Sequence, residues 1–241
     1  MSPEQQPQPS SIGVVLECLG RSSLREQPME GLLQLVTDLV KTVMPGNSEA
    51  SVTLLVQECP STVVATGQLA LDLDQGQYER GRGPCLHAAA AQEIAEIPDT
   101  RSETRWPDHA RRAAEHGNLS SLSVPLVIDE PQVSGALNIY ARQLNAFDQA
   151  SRSAATRFAP YAAVAAGNLS RYQRALKRVD HLEAALASRA AIEQAKGIQM
   201  ERHDVTAHGA VGILARASIH THITVRRLAE HLVHTGELRR R

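Results

Sequence analysis

Apolar and polar positions alternate along the chain in two rhythms, and each rhythm predicts a different element. Leu32, Leu33, Leu35, Val36, Leu39, Val40 and Val43 fall on one stripe, which predicts a helix of about four turns, terminated by Met44-Pro45-Gly46. Ser51–Val56 and Thr62–Thr66 are β-rich runs separated by Glu-Cys-Pro-Ser, the pattern of a hairpin. A third and a fourth strand are expected at Leu119–Ile128 and Val133–Tyr140, joined by Asp129-Glu130-Pro131-Gln132. Short helical pieces are expected between the hairpins, around Leu86–Ala91 and Pro107–Glu115.

Asp148 is a good N-cap, and the Ala-rich sequence after it has no glycine but Gly167 before Gly197. It predicts one helix of roughly fifty residues, kinked at Pro160. Along it Leu169, Tyr172, Leu176 and Val179 keep a 3-4-3 spacing, which Leu182 and Leu186 continue with a shift of phase. This is a short coiled-coil signal and points to a dimer; the plainer reading is a helix packed on its own domain. Thr206 is placed to cap a helix over Ala210, Ile213 and Leu214, with a break at Ser218 to His222. A last helix carries Val225, Leu228, Ala229, Leu232 and Val233 and stops at Gly236.

Composition narrows the class. The chain has 241 residues, 42% of them hydrophobic, enough for one or two buried cores. Residues 1–11 are rich in Pro, Gln and Ser and are expected to be disordered. Cys18, Cys59 and Cys85 are odd in number and lack CxxC spacing, which argues against a disulfide framework or a zinc site and fits a reducing cytoplasm. No signal peptide or membrane-spanning run is expected.

The net charge of −1 hides two halves. Residues 1–170 carry 12 basic and 19 acidic side chains, net −7, whereas residues 171–241 carry 13 and 7, net +6, with seven of the ten histidines. The asymmetry suggests that the C-terminal half meets a polyanion.

Candidate chemistry follows that division. Arg189, Lys196, Arg202, Arg216, Arg226 and Arg227 are spread over three predicted helices, where phosphate neutralisation would supply most of an affinity for RNA. Gly197 weakens a helix interior by about 1 kcal/mol relative to Ala, so tight packing or an RNA contact should compensate it. Ser218, His220 and His222 are suitable donors for bases splayed out of an RNA loop; the plainer reading makes them and the cations a solvated helix face. Neither His220-x-His222 nor His231-x-x-His234 has carboxylate or cysteine companions at a metal-binding spacing. In the acidic half, Gly81-Arg82-Gly83-Pro84 precedes a helix start, where anions are favoured, but a structural turn is the preferred reading. Cys85 at that start is open to two readings, a low-pKa redox sensor or, more commonly, a buried inert thiol.

The segment Arg189-x-x-Ile192-Glu193-Gln194-Ala195-Lys196-Gly197-Ile198-x-Met200-Glu201-Arg202, followed by Ala210-x-x-x-Leu214-x-Arg216-x-Ser218 and Leu228-Ala229-x-x-x-Val233, resembles the ANTAR domain. That resemblance covers about residues 180–236. It implies a three-helix RNA-binding unit of a transcription antitermination regulator, in which a dimer binds a pair of stem-loops and disfavours a terminator. Gln199 stands where the family usually has an apolar residue, Val211 where it favours an aromatic and His222 where Asn is frequent, and Gly209 and Gly212 weaken the second helix.

Residues 12–168 resemble a GAF domain, of the kind found ahead of ANTAR in actinobacterial regulators. The resemblance rests on Leu73-Asp74-x-x-Gln77-Tyr78-Glu79-x-Gly81-x-Gly83-Pro84-Cys85-Leu86-x-Ala88, Arg105-Trp106-Pro107, Ser121-x-Ser123-Val124-Pro125-Leu126 and Gly135-Ala136-Leu137-Asn138-Ile139-Tyr140. It implies an antiparallel sheet with flanking helices and a small-molecule pocket, for which Tyr78, Cys85, Trp106, Asn138 and Tyr140 are the candidate lining residues. No cofactor is implied.

The expected fold class is thus α+β: a GAF sensor domain over 12–168, a coiled-coil linker helix over 169–186 and an ANTAR domain over 180–236. The expected function is a cytoplasmic, non-enzymatic antitermination regulator, homodimeric and without membrane contact. The alternative is a small-molecule or redox sensor that uses a degenerate ANTAR domain only for dimerisation or protein contacts.

Overall fold

The computed structural model describes residues 29–238; the expected tail over 1–11 and Cys18 lie outside the described residues. Contacts divide the chain into two units, Met1–Tyr172 and Gln173–Arg241.

In the first unit the opening stripe forms α1 (Met29–Val43), followed by β1 (Glu49–Val56), β2 (Cys59–Ala65), α2 (Gln68–Arg80), α3 (Pro84–Ala91), β3 (Ala95–Ile97), α4 (Pro107–Glu115), β4 (Ser120–Leu126) and β5 (Val133–Ala141). The long helix α5 (Gln149–His203) begins in this unit. The five strands form one antiparallel sheet in the order β2-β1-β5-β4-β3.

Strand alternation sorts the side chains onto two faces. Ala50, Val52 and Leu54 of β1, Leu122, Val124 and Leu126 of β4, and Leu137 and Ile139 of β5 join Leu33, Val36 and Val40 of α1 and Ala155, Phe158, Ala162 and Leu169 of α5 in the main core. Burying each of the larger side chains contributes roughly 1.5–3 kcal/mol. The opposite face carries Ser51, Thr53, Ser121, Ser123, Asn138 and Tyr140, all buried, beneath α2 and α3.

Three local details depart from the sequence expectations. The hairpin turn is only Gln57-Glu58, both with positive φ (52° and 65°), so Cys59, Pro60 and Ser61 belong to β2, with Val56 opposite Cys59. This is a two-residue turn without the Asn-Gly signature that usually announces one, and Pro60 is tolerated because β2 is an edge strand. The helix α2 was not expected, because Leu69-Ala70-Leu71-Asp72-Leu73-Asp74 alternates with period two and mimics a strand. β3, only three residues long, has no readable period.

Asp148 Oδ1 accepts from the Ser151 amide at 2.8 Å, as its capping role requires, and Pro160 lies inside α5. In the second unit, the end of α5 packs with α6 (Ala207–Thr221) and α7 (Val225–Thr235). Ala195, Leu214, Ala229 and Leu232 form its core, flanked by Ile192, Ile198 and Val225. Thr206 Oγ1 accepts from the Gly209 amide at 3.2 Å, and Gly236, with φ +74°, ends α7. The break between α6 and α7 falls later than expected: Ser218 is still helical, and His222 takes the left-handed conformation at φ 54°. Among the described residues no helix is long and apolar enough to cross a membrane.

Candidate functional site

Asp74 organises the polar face of the first unit. It is fully buried on α2. Tyr140 Oη donates to its Oδ1 at 2.6 Å, the Thr62 hydroxyl donates to its Oδ2 at 2.8 Å, and Asn138 Nδ2 donates to Oδ1 at 3.3 Å. Burial pushes this carboxyl up to about 6, against the lowering effect of those hydroxyls.

The network extends through Tyr78, whose Oη lies 2.8 Å from Thr53 Oγ1 and 2.7 Å from Thr62 Oγ1, and Asn138 Nδ2 donates to Thr53 at 2.9 Å. Because an ionised Asp74 only accepts, the hydroxyls order themselves in one sense: Asn138 donates to Thr53, Thr53 to Tyr78, Tyr78 to Thr62, Thr62 to Asp74. Burial raises the pKa of both tyrosines, so they remain neutral donors. The layer is not fully paired: Ser121 Oγ, Ser123 Oγ and Asn138 Oδ1 are buried without a partner among the described residues.

Cys85 belongs to the same layer through its backbone. Gln77 Oε1 accepts from the Cys85 amide at 2.9 Å, while Gln77 Nε2 donates to Tyr140 Oη at 3.2 Å. The side chain of Gln77 thereby occupies the N-terminus of α3. Gly83 makes room for it, since a Cβ there would meet Gln77 Oε1 at 2.2 Å. The Gly81–Pro84 segment is thus a structural turn, with Gly81 at φ +65° ending α2. The Cys85 thiol is fully buried, and desolvation pushes its pKa well up, opposite to the shift a redox-sensing thiolate requires. Trp106 is half-buried against the cluster containing Cys85 and Ala88; the Arg105 guanidinium lies 4.5 Å from its ring centre.

The structure therefore brings Tyr78, Cys85, Asn138 and Tyr140 into one layer and sets Trp106 at its margin. Sequence reasoning missed Asp74, Gln77, Thr53 and Thr62 as members. Only burial distinguishes Asp74 from Asp72, which is half-buried and accepts from Gln68.

In the second unit Arg189, Arg202, Arg216, Arg226 and Arg227 are exposed and Lys196 is partly so. Several have local partners: Lys196 with Glu193, Arg226 with Glu230 at 2.7 Å, and Arg202 with the Gly236 carbonyl. Ser218 donates to the Ile223 carbonyl at 2.7 Å, which ties its proton to the α6–α7 turn. His220 Nδ1 lies 2.8 Å from the Arg216 carbonyl, and His222 is exposed at the turn. A Cβ at Gly197 would meet nothing within 4 Å, so protein packing does not compensate its cost. Ala195, by contrast, is fully buried. Among the described residues no group of three or more His, Cys, Asp or Glu side chains is placed to hold a metal ion.

Comparisons agree with this division. The chain is similar in fold to fRMsr of Staphylococcus aureus in its reduced form, with a TM-score of 0.51 and 15% identity over 68% of this chain and 99% of that one. It is also similar to the free methionine-R-sulfoxide reductase from Neisseria meningitidis in complex with its substrate, with a TM-score of 0.50 and 18% identity over 72% and 99%. At such identities the likeness concerns the fold alone. No curated protein matches the chain. The GAF domain family model matches residues 26–166 and the ANTAR domain model residues 180–233. With more than half of its length in the first match and its three C-terminal helices in the second, the chain belongs to the GAF domain family and is a GAF and ANTAR domain-containing protein.

Proposed function

We propose that the C-terminal unit binds RNA, as paired stem-loops held by a homodimer, and that the chain acts as a cytoplasmic antitermination regulator. The pairing of a GAF with an ANTAR domain fits a regulator with an RNA-binding output domain. The observation that carries the reading is the set of cations left exposed on the helices of the second unit, Arg189, Arg202, Arg216, Arg226 and Arg227, in a segment of net charge +6. Phosphate contacts from such a set supply affinity and make it salt-dependent. The open space at Gly197 supports the same reading, because a nucleic-acid backbone would find room there.

Dimerisation is supported by α5. Tyr172, Leu176, Val179, Leu182 and Leu186 are between 46% and 68% exposed, an apolar stripe that a second copy of the helix would cover. The first unit would act as a small-molecule sensor rather than an enzyme. Its unpaired Ser121, Ser123 and Asn138 oxygens give the polar layer spare capacity for a guest, and its protonated, sealed Cys85 is a poor nucleophile.

Filter binding or anisotropy with stem-loop pairs, titrated with salt, tests the central claim. Affinity above that for random RNA, lost in Lys196→Ala and Arg216→Ala, is the expected result; equal affinity for both RNAs would leave the C-terminal unit as a dimerisation or protein-contact module. Native mass spectrometry of the purified chain tests the sensor: a bound compound lost in Asn138→Leu is expected.

A further inference from the structure

The helices α2 and α4 bring four arginines to one place on the first unit. Arg80 ends α2 and Arg82 follows it, while Arg111 and Arg112 belong to α4. A cavity of about 240 Å3 is lined there by Arg80, Arg111 and Arg112 together with Asp108, Glu115 and His116, and Arg82 joins it through Asp108. Four of the 12 cations of residues 1–170 therefore gather at a single site, in a half of net charge −7. They meet three carboxylates, Asp108, Glu79 and Glu115, so the local charge is positive.

Asp108 receives more positive charge than it neutralises. Its carboxylate lies 3.0 Å from Arg82 Nη2, 3.4 Å from Arg111 Nη2 and 3.7 Å from Arg80 Nε. The hydrogen bond from Arg82, with the charges of Arg80 and Arg111, holds this carboxyl below the usual range. Each guanidinium carries five N–H donors, so most of the donors remain free for a guest. Arg112 is held in place by α2: a Cβ at Gly76 would meet its Cδ at 2.9 Å, so glycine there lets the side chain lie flat. Its Nε is buried without a partner among the described residues, and its Nη1 lies 3.7 Å from Glu79. A guanidinium fixed in this way loses little freedom when a ligand arrives.

We infer that this cavity binds a small tetrahedral dianion, a phosphate group either free or carried on a small molecule. Several guanidinium forks converging on one point match the terminal oxygens of phosphate, which accept bidentate pairs from more than one arginine. The cavity is smaller than the roughly 300–1,000 Å3 of a drug-sized site, which suits a phosphate group and not a nucleic acid. Asp108 orients the three guanidiniums around it and, as a negative charge inside the site, opposes the guest. The site belongs to the first unit and does not draw on the RNA-binding reading.

Isothermal titration calorimetry of the full chain tests the assignment, with inorganic phosphate and glycerol 3-phosphate as separate probes at fixed ionic strength. The expected result is saturable binding in the millimolar range. Arg82→Gln combined with Arg111→Gln, at side chains 61% and 68% exposed, should weaken it about tenfold without changing the melting temperature. Because the second unit is also cationic, Arg226→Gln with Arg227→Gln is the control pair and should leave the binding unchanged. Asp108→Asn, which removes the opposing charge, should tighten it about threefold. Binding of inorganic phosphate alone would make the free ion the ligand, whereas tighter binding of the ester would make it a phosphorylated small molecule. Absence of saturable binding by either probe, an equal loss in the control pair, or an Asp108→Asn chain that binds no more tightly would each overturn the proposal.

Discussion

Asp74 and His109 are buried in the same unit and titrate in opposite senses. Desolvation raises Asp74 from 3.8 to about 6 and lowers His109, whose Nε2 has no partner among the described residues, from 6.5 to about 4. The fold favours protonated Asp74, so that contribution is full below pH 3.8 and is lost as pH rises to about 6. The fold favours neutral His109, so its contribution is full above pH 6.5 and is lost as pH falls to about 4. Each amounts to about 3 kcal/mol at 1.36 kcal/mol per pKa unit, and across the shared window they offset one another. Urea unfolding between pH 4 and 7 should expose each in turn. Relative to wild type, Asp74→Asn should gain stability with rising pH and His109→Leu should lose it; a flat difference profile for either variant would contradict its buried titration. None of this was legible in the sequence, where Asp74 was one residue of a motif and His109 one histidine of ten. Tyr78, Asn138 and Tyr140 were legible because they stand in the segments that resemble a GAF domain.

Elements with a clear period were read closely. The helix α1, both long strands of the second hairpin, and α5 with its Asp148 cap follow directly from spacing. What failed had misleading or absent spacing: the strand-like alternation inside α2, the brevity of β3, and the turn at Gln57-Glu58. In α5 the apolar stripe has a checkable consequence. Leu182→Glu combined with Leu186→Glu places like charges along the expected seam and should convert the proposed dimer to monomer in sedimentation experiments at micromolar concentration. A wild-type chain that sediments as a monomer would refute the seam itself. Gly197 separates two causes that sequence alone left joined. With open space around its Cβ position, Gly197→Ala should stabilise the helix by about 1 kcal/mol while weakening binding to a stem-loop pair. A gain in stability with unchanged RNA affinity would remove Gly197 from the interface.

At the scale of the whole molecule, the near-neutral total conceals two halves of opposite charge. Under the proposed function, the net −7 of residues 1–170 would keep polyanions off the first unit and the net +6 of residues 171–241 would attract them. If the C-terminal cations act through phosphates, Arg216→Ala should lower the slope of log affinity against log salt by about one, whereas loss of affinity at unchanged slope would give Arg216 a base contact instead. The two described thiols differ as sharply as the two charges: Cys59 is exposed on the edge strand and Cys85 is sealed beneath the sheet. With Cys18 replaced by Ser, an alkylating reagent should therefore label Cys59 within its intrinsic reaction time and reach Cys85 only when the unit opens. The chain thus carries its own stopwatch: the ratio of the two labelling rates counts openings of the sensor in the native state, and a compound that occupies the polar layer should slow the second rate without touching the first.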